Sequence, residues 1–162
     1  MTTKNTELNS IFAGVSQLKI VEKKTNFTYA RAEKLKSRKL FEQLFAEGKS
    51  IANYPLRLIY VKTALKEAIP IKAGVTVSKR NFKSAVKRNR IKRSLREAYR
   101  RNKSIVINNS NDNYALLFLY LGKEMPKSTD VELRMISLLE KFTKKIGEEI
   151  ADSTSVENNL KS

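Results

Sequence analysis

SAVKRNRIKRSLREAYRR, running from Ser84 to Arg101, is the stretch that decides the fold. It holds no Gly or Pro and is rich in good helix formers, so it predicts a helix. Ile91, Leu95 and Tyr99 recur at i, i+4 and i+8 with Ala98 beside them, a narrow apolar face of the kind that anchors a helix on a sheet. Asn89, Lys92, Arg93, Arg96 and Arg100 fall on the opposite side, and Arg88 and Arg90 flank the two faces. Arg dominates this row, and a guanidinium forks two hydrogen bonds onto a phosphate where an ammonium offers a point charge. Like charges four residues apart repel by roughly 0.2–0.5 kcal/mol per pair, and Glu97 is the only acid in the helix to offset them. The plain reading is a solvated basic face. Repulsion at this density makes more sense when phosphates complete the neutralisation.

Outward from the helix, β-type runs lie on both sides: Ile71–Ser78 before it, with Val75, Thr76 and Val77 after Gly74, and Tyr114–Leu121 after it. The second is apolar throughout, as expected for a strand covered on both faces. Strand, helix, strand in that order implies a crossover joining parallel strands of a small sheet. Further upstream, Tyr54–Lys62 alternates Leu56, Leu58 and Tyr60 against Arg57, Ile59 and Val61. Before it, Ser37 is placed to cap a helix reaching about Glu47, with Gly48 at the stop and Leu40, Phe41, Leu44 and Phe45 forming its apolar stripe. After Pro126, a core-facing helix fits Val131, Met135, Leu138, Leu139, Phe142 and Ile146. Residues 1–30 read as a weakly structured N-terminal extension, 31–148 as one domain, and 149–162 as a polar, frayed C-terminal tail.

Composition narrows the function. The 162 residues carry 33 Lys+Arg against 16 Asp+Glu, a net charge of +17, and 41% are apolar, enough for one modest core. Residues 79–103 hold 12 of those basic side chains against the single acid Glu97, so the charge is polarised rather than spread. There is no Cys and no His, which removes disulfides, thiolate chemistry, Cys-based zinc sites and the commonest general base. No apolar run approaches the roughly 20 residues of a membrane span, and no secretory leader opens the chain, so a cytoplasmic protein with an anionic polymer as partner is expected. Phe41 and Phe45, at i and i+4, serve as plain core or as an apolar shelf on which an unpaired base stacks. Arg57, from the neighbouring strand, would then reach a phosphate.

Phe82-Lys-Ser-Ala85-Val-Lys-Arg88-Asn89-Arg90-Ile91-Lys92-Arg93-Ser-Leu95-Arg96 resembles the signature of the bacterial ribonuclease P protein component, with its Arg-Asn-Arg centre at Arg88–Arg90. Ala73–Lys79 is similar to the strand leading into that motif, Leu35–Gly48 to the family's first helix, and Gly48–Ser50 to the turn after it; the resemblance spans about residues 31–147. It implies an α+β fold, a small single-domain α/β sandwich in the order αβββαβα, with a short first strand near Ser50–Ala52 and a left-handed β-α-β crossover around the basic helix. The general rule, right-handed in about 98% of cases, would give the opposite hand.

The resemblance also implies an accessory subunit of a ribonucleoprotein endonuclease, one protein per RNA subunit, that removes the 5′ leader of precursor tRNA. The partners are then the catalytic ribonuclease P RNA and precursor tRNA, with no membrane. Mg²⁺ is the implied cofactor, held by the RNA subunit and the substrate, with no protein-only metal site and no catalytic side chain in the protein. Arg88, Asn89, Arg90, Lys92, Arg93, Arg96, Arg100 and Lys79 are the expected contacts to the catalytic RNA. Phe41, Phe45, Arg57 and Tyr60 are the expected lining of the leader cleft. Arg57 stands where relatives carry an apolar residue, and Phe118–Leu121 lacks the basic residues many of them place there. Two other classes compete: a structural ribosomal RNA-binding protein, and a stand-alone metal-dependent nuclease. The latter needs clustered carboxylates, and the acids here are dispersed.

Overall fold

The computed structural model describes residues 28–65 and 69–161. Helix α1 (Arg38–Glu47) is followed by strands β1 (Lys49–Asn53), β2 (Leu56–Lys62) and β3 (Ile71–Val77). Then come α2 (Ala85–Asn102), a single turn α3 (Ser104–Ile107), strand β4 (Tyr114–Tyr120) and the long α4 (Ser128–Lys161). Strand order in the four-stranded sheet is β1-β2-β4-β3. β1 and β2 form an antiparallel hairpin, β2 runs antiparallel to β4, and β3 lies parallel to β4, so α2 is the crossover the sequence predicts.

Period-two alternation sorts the strands into two cores. Leu56, Leu58 and Tyr60 of β2, Tyr114, Leu116, Phe118 and Tyr120 of β4, and Ile71, Ala73 and Val77 of β3 face one way. There they meet Ile91, Leu95, Ala98 and Tyr99 of α2 and the predicted stripe of α4 from Val131 to Ile146. The opposite face is smaller: Val61, Ala115 and Leu117 pack under Leu35 and Leu44, with Leu40, Phe41, Ile59 and Leu119 partly buried around them. β4 sits between the two layers, which is why its continuous apolar run is buried at every position but Leu119.

Ser37 caps α1 as expected, its hydroxyl accepting from the Leu40 amide at 3.5 Å. Gly48 ends the helix with an ordinary φ of −64°, so it is not there for left-handed backbone. A Cβ at this position would lie 2.1 Å from the Leu44 carbonyl oxygen and 2.6 Å from Ile59 Cγ2, so the requirement is for space. Gly74 meets a similar need: its missing Cβ lets Leu35 lie directly on β3.

Both ends of the domain differ from the sequence reading. Thr28 to Ala30 were assigned to a loose extension, yet Tyr29 packs edge-on to Tyr99 with ring centroids 5.7 Å apart, and its hydroxyl donates to the Ala73 carbonyl. Burial pushes that hydroxyl up to about 12, partly opposed by the nearby Arg96, so it stays protonated as a donor. Lys103, 3% exposed, donates to Glu33 Oε1 at 2.7 Å and to the Thr28 carbonyl. The Leu35 amide then donates to Ala73 O at 2.9 Å, so residues 28–35 strap the outer edge of β3. The rest of the expected extension, 1–27, lies outside the described residues.

At the other end, α4 continues to Lys161 where a frayed tail from 149 was expected. Its apolar stripe stops at Ile146, but Glu149 accepts from Lys49 Nζ at 2.9 Å and from the Tyr60 hydroxyl at 3.1 Å, holding the next turn to the sheet. Beyond it the side chains through Glu157 are exposed, and Ser153, Thr154 and Ser155 return their hydroxyls to carbonyls of the preceding turn.

Candidate nucleic-acid interface

Ser84 caps α2 through the Lys87 amide at 3.4 Å. With Ile91, Leu95, Ala98 and Tyr99 buried against the sheet, the opposite side turns to solvent. Asn89, Arg90, Arg93 and Arg96 are exposed and Lys92 is half-buried. Among the described residues none of Arg90, Lys92, Arg93 and Arg96 forms an ion pair, and exposed Lys79 extends the row just ahead of the helix.

Two predicted contacts are used differently. Arg88 folds back over the helix start, its Nη1 donating to the carbonyls of Phe82 at 2.7 Å and Lys83 at 2.8 Å. It fastens the turn that launches α2. Arg100 pairs with Glu97 at 2.5 Å, and Arg101 with Glu97 at 3.1 Å and Glu132 at 3.6 Å. The hydrogen bond from Arg100 is the main reason the Glu97 carboxyl is held below its ordinary value. The C-terminal end of the row is therefore partly neutralised by the protein itself, and the free charge is concentrated from Lys79 to Arg96.

The second predicted group divides. Phe41 is half-buried beside Ile59 and Leu119 on the α1 face, and Phe45, 65% exposed, is one helical turn further along α1. Arg57 is exposed and its position on β2 faces the same way, in register with Leu119 of β4 and Ala52 of β1. Tyr60 does not join them. One residue out of step with Ile59 and Val61, it points through the sheet into the larger core, against Phe142 at a centroid distance of 4.9 Å. Burial, and then the neighbouring Glu149, raise its hydroxyl well above the ordinary tyrosine value. Ile59 and Leu119 share this layer with Phe41, as the alternation along β2 and β4 places them. A further feature is a 380 Å³ cavity at the start of α1, lined by Arg31, Lys34, Lys36, Ser37 and Lys72. Among the described residues no three or more Asp, Glu, His or Cys lie together where they could hold a metal ion.

A four-stranded mixed sheet with a cationic helix on one face and a smaller apolar layer bearing Phe41 and Phe45 on the other makes this a small α+β RNA-binding protein. The chain belongs to the ribonuclease P protein family, whose profile, described as ribonuclease P, matches residues 29–143, and it is a protein component of the bacterial type. It is 37% identical over 112 residues to the ribonuclease P protein component of Porphyromonas gingivalis, covering 67% of this chain and 82% of that one. It is 37% identical over 79 residues to that of Thermotoga maritima, covering 49% and 64%. Among solved structures, the Thermotoga maritima RNase P protein superposes with a TM-score of 0.55 at 25% identity, covering 67% of this chain and 96% of that one. The Staphylococcus aureus protein, 22% identical, shares the fold with a TM-score of 0.56 over 68% of this chain and 94% of its own. Among the described residues no helix is long and apolar enough to cross a membrane.

Proposed function

We propose that this chain is the accessory subunit of a cytoplasmic ribonuclease P, one copy per catalytic RNA. It binds that RNA through α2 and the single-stranded 5′ leader of precursor tRNA across the α1 face. The observation that carries this reading is the row Arg90, Lys92, Arg93 and Arg96, held outward by a buried apolar seam and left without carboxylate partners among the described residues. Such a row gains most when phosphates displace its counterions.

On the α1 face, Phe45 and Phe41 offer ring surface for bases and Arg57 a cation for the backbone, a sequence-tolerant combination suited to leaders of any sequence. The protein's part is to hold two polyanions together and screen their repulsion. Mg²⁺ belongs to the RNA and substrate in this reading. The test is reconstitution: this protein, a bacterial ribonuclease P RNA and a labelled precursor tRNA at low Mg²⁺. Release of the leader to leave a 5′-phosphate should require both macromolecules. Cleavage by the protein alone, or no effect of the protein on the RNA's activity, overturns the proposal. Co-sedimentation with ribosomal subunits in place of that activity would point to the ribosomal alternative.

A further inference from the structure

One flank of α2, bearing Arg90 and Arg93 of the cationic row, borders a groove whose second wall comes from other elements. Residues Arg90, Arg93, Ser94, Glu97, Ala98 and Arg101 line one wall, at the i, i+3, i+4, i+7 spacing of a single helix stripe. The other wall is the loop from Met125 to Lys127 and the first turns of α4, and the half-open groove has a volume of about 670 Å³, within the range of small-molecule sites. Its two ends differ in charge. At one end Glu97 and Glu132 are bridged by Arg101, and carboxylates there repel an anion. At the other, Arg90 and Arg93 have no ion-pair partner among the described residues, and neither has Lys127 of the facing loop.

Between the ends the surface is apolar. Ile91 and Ala98 form the floor, and Met125, 36% exposed, and Pro126 form the wall. A cationic mouth, an apolar middle and hydroxyls of Ser94 and Ser128 match the three parts of a nucleotide: phosphate, base face and base edge. Methionine suits such a wall, being flexible and polarisable against a ring.

We propose that this groove receives one unpaired nucleotide of the RNA subunit. Its phosphate is held at Arg90, Arg93 and Lys127, and its base lies against Met125 and Pro126. The source is the RNA subunit rather than the leader because the groove lies on the face of the sheet that carries α2 and α4, opposite Phe41 and Phe45. The inference rests on the proposed function.

The chain has no cysteine, so single cysteines carry a photoreactive azidophenacyl group without competing attachment. Three labelled proteins, Met125→Cys, Asn89→Cys and Val156→Cys, are assembled with bacterial ribonuclease P RNA and precursor tRNA, each RNA end-labelled in turn. Asn89→Cys reports on the α2 face, and Val156→Cys, on the exposed far part of α4, is the control for random collision. The expected result is that Met125→Cys cross-links to one or two adjacent unpaired nucleotides of the RNA subunit, and that Val156→Cys does not. Cross-links from Asn89→Cys with none from Met125→Cys, or Met125→Cys cross-links confined to paired helices or to precursor tRNA, overturn the groove and leave the wider reading standing. Absence of all cross-links, together with absence of RNA binding by unlabelled protein, would instead remove the proposed function.

A second variant guards against disturbance by the label. Met125→Glu introduces a carboxylate where the base should lie and should weaken binding of the RNA subunit at least tenfold with an unchanged melting temperature of the free protein. Unchanged affinity refutes the groove.

Discussion

Arg88 and Arg90 are neighbours in one motif, yet their replacement by alanine should affect different properties. Arg88 donates from a single nitrogen to two carbonyls, at 2.7 Å and 2.8 Å, and the Phe82 residue it holds is 5% exposed. A hydrogen bond from a charged donor contributes about 1.5–3 kcal/mol. Because the Lys83 contact is open to water, only the Phe82 bond approaches that figure, and the expected cost of Arg88→Ala is about 1–3 kcal/mol. For a domain of this size each kcal/mol lowers the melting temperature by about 2–4 °C, so the free protein should melt roughly 2–12 °C lower.

Arg90 is exposed and makes no bond within the described residues, while Lys87 and Arg93, each three residues away, crowd the same region of α2. Arg90→Ala should therefore leave the melting temperature unchanged or slightly raised, and weaken RNA binding. The assay is paired: thermal unfolding of each free variant, then titration of each against labelled ribonuclease P RNA at a temperature where both are folded. If Arg88→Ala melts like the parent and loses as much RNA affinity as Arg90→Ala, the tether does not exist in solution and Arg88 belongs to the outward row after all.

Three further outcomes follow from the same geometry. If Lys79, Arg90, Lys92, Arg93 and Arg96 each meet one phosphate, the slope of log affinity against log salt should lie between about −3.5 and −4.5; a slope near −1 would show that the row does not face RNA. Phe45→Ala should hardly alter stability, since the ring is 65% exposed, but should weaken binding of precursors with long leaders by roughly 5- to 150-fold and leave leaderless tRNA unaffected. For Glu149, burial disfavours the charge, but hydrogen bonds from Lys49 and Tyr60 outweigh it and hold the carboxyl below its ordinary 4.5. A depressed folded-state value stabilises fully above the unfolded value and is lost as pH falls through the folded one. The gap in urea midpoint between the parent and Glu149→Gln should therefore be flat above about pH 5.5 and close below about pH 4.5. A gap independent of pH would show that the charge plays no part.

Periodicity carried most of the fold. The stripes of α2 and α4 and the unbroken apolar run of β4 were legible because each records burial directly, residue by residue. The alternation of Leu56, Leu58 and Tyr60 against Arg57, Ile59 and Val61 also contained the information that Arg57 and Tyr60 cannot share a surface. The resemblance to a family cleft puts the two together, and the structure follows the alternation instead. What the sequence could not show are features fixed by side-chain conformation. Whether an arginine points outward or folds back to a carbonyl depends on one rotamer, as at Arg88. Whether Glu97 serves Arg100 or Arg93 depends on which turn brings them together. Tyr29 and Lys103 were missed because their partners, Tyr99 and Glu33, are about 70 residues away in the chain. α4 runs past its apolar stripe on polar residues, where hydrophobic patterning has nothing to report.

The strap along β3 bears on how any partner is received. Lys34 bridges to Ala73 on one margin of the sheet, and at the other Lys49 and Asn53 of β1 are tied to Glu149 and to the Arg134 carbonyl. Only the β3 margin has backbone covered in this way, so an incoming chain finds less free ladder to extend there, and augmentation by a foreign strand on that side is discouraged. Self-stacking of the sheet into aggregates is hindered for the same reason. Along that guarded margin, side chains rather than backbone are left to choose what is bound.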